Sequence, residues 1–239
     1  MSVIEIYDGY KALGIKSRTI TKGEEINMVK EFVEYRKDHF AESKNKHLAV
    51  FLETKINNNY PDIVFAEYNP ESYKNWNNYR NSLSVNDLKV LYYIATHRQV
   101  TSKKIISDLF LNYKDLLLAL EKLYDAELID RKNKKWVKHS NDWIGIKKVE
   151  AVEAKICNCS QVMQQAILNK TFASESSILI KRKNTLPDDF MNKASEFGLG
   201  LYIYNELNFA KLLTPKKNKV LSNYNSIFIN ECIGRILNQ

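Results

Sequence analysis

The spacing of apolar residues changes period several times along this 239-residue chain, and no uniform helical or all-strand fold accommodates the changes. Within 22–41, Ile26, Val29, Phe32, Val33 and Phe40 recur at helical intervals among Glu and Lys, which predicts a helix. HLAVFLETKI (47–56) and DIVFAEY (62–68) are apolar and β-branched and flank the turn NNNYP, which predicts an antiparallel hairpin. The polar, Asn-rich stretch 69–83 breaks that pattern and reads as a connector. Three short helices follow. The first is 85–97, started by a capping box of Ser84 and Asp87. Thr101 or Ser102 caps the second, which holds Ile105, Ile106 and Leu109. The third spans 112–126, with Leu116, Leu117, Leu120 and Leu123 inside. AELIDRKNKKWVKHS (126–140) then reads as strand, basic turn, strand. From 143 onward, WIGIKKVEAVEAKI, SSILIKR and LGLYIYN are strands, separated by the helices SQVMQQAILNKTFA and LPDDFMNKASEFG, the latter stopped by Gly198. Strands alternating with helices imply parallel members with helical crossovers. The tail 206–239 is partly apolar, and its pattern assigns it no position.

The formal net charge of +8 and pI near 9.1 favour a polyanionic partner, either nucleic acid or an acidic membrane surface. The N-terminal segment carries acids early and resembles no signal peptide, and no run reaches the ~18 apolar residues of a membrane span. Cys157, Cys159 and Cys232 are too few and irregular for a disulfide framework, and a lone CxC is poor zinc spacing. Free thiols in a reducing, cytoplasmic setting are expected. The four histidines show no ligand spacing, and GxSxG, Walker A and GxGxxG motifs are absent.

Three helices followed by the hairpin "AELIDRKNKKW" resemble a winged helix-turn-helix over about 60 residues. The resemblance implies that Arg131, Lys132, Lys134 and Lys135, beside Trp136, contact DNA phosphates, joined by Lys103, Lys104 and Lys114. The third helix is not basic: Asp115, Glu121 and Asp125 accompany Lys114 and Lys122. That composition suits weak base readout or a protein-binding use of the fold. Tyr73, Trp76 and Tyr79 in the connector suggest base stacking or a packed hinge, of which the hinge is favoured.

Carboxylates stand in two informative settings. Asp62 begins a strand after Pro61, and Glu153 and Lys155, two apart on a strand, project from one face. Two carboxylates can hold a hard cation through oxygen, and a nearby lysine can orient water or steady developing charge, as phosphodiester hydrolysis requires. Pro61-Asp62, then Glu153-Ala154-Lys155, then a helix bearing Gln165, resemble the PD-(D/E)xK nuclease superfamily over 20–68 and 143–205. The resemblance implies Asp62 and Glu153 as ligands of Mg2+ or Mn2+, Lys155 as the water-orienting base, and Gln165 as an accessory group. The stretch between 62 and 153 far exceeds the family's usual gap, which an inserted domain explains. Glu53-Thr54-Lys55 has ExK spacing in the wrong order and is set aside, although Glu53 could still face the site from the neighbouring strand. The family often adds a first-helix acid, and Glu25, Glu31 and Glu34 all qualify.

The expected fold is therefore α/β, a restriction-endonuclease-like mixed sheet flanked by helices, with an inserted winged helix-turn-helix. Residues 1–81 and 141–239 would form the core and 82–140 the insertion. The expected function is metal-dependent DNA hydrolysis, and the alternative is a non-catalytic DNA-binding regulator or adaptor on a degenerate nuclease fold. DNA is the expected partner and a membrane is not. A homodimer or a larger DNA-processing complex stays open.

Overall fold

The structure is a computed structural model describing residues 3–7, 9–19, 23–140, 142–156, 159–182, 186–206, 208–220 and 223–239, apart from the side chains of 159 and 160. The elements in chain order are β1 (Val3–Ile6), α1 (Glu24–Asp38), β2 (His47–Leu52), β3 (Ile63–Tyr68), α2 (Val85–Thr96), α3 (Ser102–Leu109), α4 (Tyr113–Asp125), β4 (Ile129–Lys132) and β5 (Lys135–Lys138). They continue with β6 (Ile146–Lys155), α5 (Cys159–Asn169), β7 (Glu175–Lys181), α6 (Asp188–Glu196), β8 (Gly200–Tyr204), β9 (Phe209–Leu213) and α7 (Tyr224–Leu237). Two short 3-10 turns, Pro70–Tyr73 and Asn78–Ser82, occupy the predicted connector. No helix among the described residues is long and apolar enough to cross a membrane.

The chain divides into two compact units, residues 1–69 with 146–222, and 70–145 with 223–239. The first is α/β: a mixed seven-stranded sheet in the order β1-β2-β3-β6-β7-β8-β9, with helices against it. The expected hairpin β2–β3 is antiparallel and in register from His47–Tyr68 to Leu52–Ile63. β3 pairs antiparallel with β6, which pairs parallel with β7, as β7 does with β8. Parallel neighbours need crossovers, and α5 and α6 supply them. Alternation along β6 sorts its residues between two layers. Val152 and Ala154 join α1's Met28, Val29 and Phe32 in one apolar core. On the other face, Val162, Met163 and Ala166 of α5 pack with Ile178, Ile180 and Leu201.

The second unit holds α2, α3 and α4 around Leu88, Leu91, Ile105, Leu116, Leu120 and Leu123. The Ser84–Asp87 capping box forms, and Thr101 caps α3 through the Lys104 amide. The hairpin β4–β5 turns through Asn133 and Lys134, both at positive φ, and Val100 bridges to Trp136 through reciprocal backbone hydrogen bonds. Leu117, expected inside, is 54% exposed. With leucines at 116, 117, 118, 120 and 123, α4 has more than one face can bury, and Leu116, Leu120 and Leu123 take the inside.

Residues 223–239, which the expected domain division left with the core although their pattern gave them no position, belong to this second unit. The cause is polar. Glu231 on α7 is fully buried and receives Arg80 in a two-pronged pair, Nη2–Oε1 2.6 Å and Nε–Oε2 3.0 Å. Arg235 Nη2 donates to the Leu83 carbonyl at 2.7 Å. Tyr73 donates to Asn230 Oδ1 at 2.8 Å, and the Arg80 guanidinium lies 3.9 Å from the Trp76 ring centre. The connector aromatics Tyr73 and Trp76 are thus packing groups of this unit. Cys232 is a buried free thiol, whereas Cys157 and the Cys159 side chain lie outside the described residues.

A buried ion pair that loses one partner leaves an uncompensated charge. Glu231→Ala is expected to cost about 3–5 kcal/mol in urea denaturation, with the loss confined to the second unit. Amide exchange would show protection falling in α2 and α7 while β6 and β7 keep theirs.

Candidate active site

The antiparallel ladder between β3 and β6 stops at Ile63–Val152. Pro61 has no N–H to extend it. The next amide on β6, that of Ala154, instead donates to Asp62 Oδ2 at 2.6 Å. This bond fixes the Asp62 carboxyl near that of Glu153, close enough for each charge to act on the other. Glu153 is 3% exposed, and its Oε1 accepts from Asn169 Nδ2 at 2.7 Å. Gln165 and Asn169, one helical turn apart on α5, line with Glu153 a cavity of about 90 Å³ whose other walls include Arg18, Asn59 and Tyr60.

Lys155 reaches the same cluster from the end of β6. Its ammonium donates to Glu25 Oε1 at 2.7 Å. Glu25 is therefore the first-helix acid that meets the site. Glu34 pairs with Lys37, and Glu31 accepts from the Tyr204 hydroxyl. Glu53, set aside on sequence order, is also present. The chain leaves β2 at Glu53 with φ 48, its N–H bonds the Asp62 carbonyl at 3.1 Å, and its carboxyl feels the charge of Asp62.

The electrostatics follow from crowding acids in a dry place. Burial, then the Asp62 charge, pushes Glu153 up to about 9. Burial and Asp62 also push Glu53 up to about 7, against Arg18 and Lys155. Asp62 is raised by burial, opposed by the Ala154 amide and Lys155. For Lys155, burial alone would lower the ammonium, but Glu25, Asp62 and Glu153 outweigh it and hold it above the ordinary lysine range. Lys155 is thus a cation here, suited to orienting water or phosphate by donation and unsuited to removing a proton. Comparison with protein-family models, curated protein sequences and solved structures returns no match.

The donor set is compatible with a hard divalent cation. It is all oxygen, and Glu53 Oε2 and Gln165 Oε1 are buried with no hydrogen-bond partner among the described residues. Among those residues no group of three or more His, Cys, Asp and Glu is arranged to hold a metal ion. The candidate is a two-carboxylate site, Asp62 with Glu153. Mg2+ commonly binds through one or two carboxylates and completes its shell with water and substrate phosphate.

The DNA-contact candidates lie on the second unit. Arg131, Lys132, Lys134 and Lys135 are all exposed along the β4–β5 hairpin, with the Arg131 guanidinium 5.5 Å from the Trp136 ring centre. Lys103 and Lys114 are exposed as well, whereas Lys104 is engaged by Asp108 at 2.9 Å. The sequence reading missed Asn169 and Arg18. Gln165 and Asn169 share an i, i+4 spacing that could have flagged the first, while Arg18 carries no such signal.

The metal-free pH response has a definite sign. The unfolded chain releases the Glu153 proton near 4.5, and the folded chain keeps it until about 9. Stability should therefore fall as pH rises through that window. Glu153→Gln, neutral throughout, is expected to exceed the wild type by roughly 1–3 kcal/mol at about pH 9 and to match it at about pH 5, measured by urea denaturation without metal.

Proposed function

We propose that the chain is a metal-dependent DNA nuclease of the PD-(D/E)xK type, which grips duplex DNA through an inserted winged helix-turn-helix. One observation carries the reading: Asp62 and Glu153, far apart in sequence, bring their carboxyls together at the end of two paired strands, with Lys155 in the same cluster. The order α1, β2, β3, β6, α5, β7 supports it. This is the family's helix, hairpin with the Asp, ExK strand, helix and strand, with the second unit filling the long gap. Two carboxyls crowded into a buried place with an unanswered proton are costly for a fold and useful for holding a divalent cation.

Asp62 and Glu153 would hold the Mg2+ or Mn2+ ion. When bound, such an ion polarises a phosphate and acidifies a water. Lys155 would donate to that water or to a phosphate oxygen, with Glu25 fixing its position. Gln165 would use its unbonded carbonyl oxygen to orient the water. Asn169 would steer Glu153, and Arg18 would meet the scissile strand's charge.

For the binding half, the support is the three-helix and hairpin order and its basic tip. Two-residue hairpins of this shape favour Asn-Gly, and here Lys134 takes the second position at φ 63. A lysine at a strained tip costs stability and presents an ammonium at the point that would approach a phosphate.

Two measurements check the proposal. Asp62→Ala and Glu153→Ala are each expected to abolish Mg2+- or Mn2+-dependent cleavage of duplex DNA while leaving gel-shift affinity within about twofold of the wild type. Equal cleavage by all three proteins would remove the site from the reaction. Binding without cleavage under either metal would leave the adaptor reading in its place. Replacing Lys132, Lys134 and Lys135 with Gln is expected to flatten the salt dependence of DNA binding by about one unit of log–log slope for each phosphate no longer neutralised.

A further inference from the structure

Most of α4's outward surface is not the surface of a DNA-reading helix. Leu116, Ala119, Leu120 and Leu123 face the core of the second unit. The opposite side carries Tyr124, Leu117, Glu121, Lys114, Asp125 and Leu118 in one band, with Tyr113 at its edge, all exposed. Three residues before the helix stands Phe110, which closes α3, 94% exposed and at φ 52. A bulky aromatic in the left-handed region, open to water, is doubly disfavoured. Surface apolar residues are common singly, but this many on and beside one helix mark a contact surface.

The order of charges identifies the occupant. Lys114 and Glu121 are separated by about two helical turns, with Leu117 and Leu118 midway between them. Lay a second α4 antiparallel across the first, with the two-fold axis between Leu117 and Leu118. Each Lys114 then falls opposite the other copy's Glu121, twice over, while the leucines meet at the centre. A two-fold interface needs such a self-complementary patch. Antiparallel helix dipoles add to it. An apolar centre within a rim of paired charge is the usual anatomy of a protein interface. Phe110, Tyr113, Leu117, Leu118 and Tyr124 offer on the order of 600 Å² per copy if wholly covered, approaching the ~800 Å² per partner of a standard interface. DNA would meet Asp115, Glu121 and Asp125 along the same helix, which repels a phosphate backbone.

We propose that α4 is a homodimer interface, in which two copies of this chain pair their α4 helices antiparallel about Leu117 and Leu118. The inference uses only the second unit's surface and does not depend on the nuclease reading. Under it, Lys114 is an interface residue rather than a phosphate contact.

Sedimentation velocity on the full chain across the micromolar range tests it. The wild type is expected to dimerise reversibly. Leu117→Asp and Lys114→Glu should each raise the dimer dissociation constant roughly tenfold or more, since the charge variant turns two attractions into two repulsions. The double variant Lys114→Glu with Glu121→Lys should restore it to within about threefold, because both pairs re-form with signs exchanged. Far-UV circular dichroism should be unchanged, as every altered side chain is exposed. A wild type that stays monomeric, a dimer indifferent to Leu117→Asp, or a double variant no better than Lys114→Glu would each overturn the proposal. So would a monomeric wild type whose low-salt binding of duplex DNA falls in Leu117→Asp and Lys114→Glu, which would give the stripe to DNA.

Discussion

The pairing of β3 with β6 brings together two parts of the chain that are separated by most of the second unit. Hydrogen bonds of that ladder set the register, and a strand slipped by one residue would carry its side chains to the opposite face. Asp62 can reach the Ala154 amide only because Ile63 faces Val152. The candidate site, the two cores on either side of the sheet and the point at which the second unit departs all follow from this pairing.

β6 also carries an internal control. Glu150 and Glu153 are both almost fully buried on the same strand, on opposite faces. Glu150 meets Arg36 at 2.8 Å, Ser177 at 2.9 Å and Lys148 at 3.7 Å. Burial pushes its carboxyl up, but Arg36 and Lys148 prevail and hold it below the usual range. Glu153 meets another acid and an amide, and goes the other way. The fold can therefore neutralise a buried glutamate and does so three residues away. Leaving Glu153 beside Asp62 is a local departure from that habit, the kind of inconsistency that marks a working site more often than a scaffold.

Periodicity made much of this legible. α1, the β2–β3 hairpin, α2 and α3 each have a clean apolar spacing, and the Ser84–Asp87 signature named a helix start to the residue. Glu153 and Lys155 stood out because charges inside an apolar strand are expensive, and Asp62 because it follows Pro61 at the start of a strand. Other features were hidden for physical reasons. β1 is four residues long, and β9 is an edge strand with little buried surface. α7 buries Asn225, Ser226, Asn230, Glu231 and Arg235, so a search for apolar stripes underrates it. Glu53 joins the site through a left-handed backbone turn, which no side-chain pattern announces. Leucine count in α4 could not say which leucines were left outside.

The Arg80–Glu231 pair has a temporal side. Its members are 151 residues apart. At about 5–20 residues per second, a ribosome releases the glutamate roughly 8–30 s after the arginine. Throughout that interval the guanidinium has no carboxylate to receive it, and helices α2 to α4 surround an unfinished centre. The nascent chain must stay hydrated there, or be shielded by a chaperone, until Glu231 arrives. Selection on this protein would then act on how long it can wait as well as on how stable it becomes.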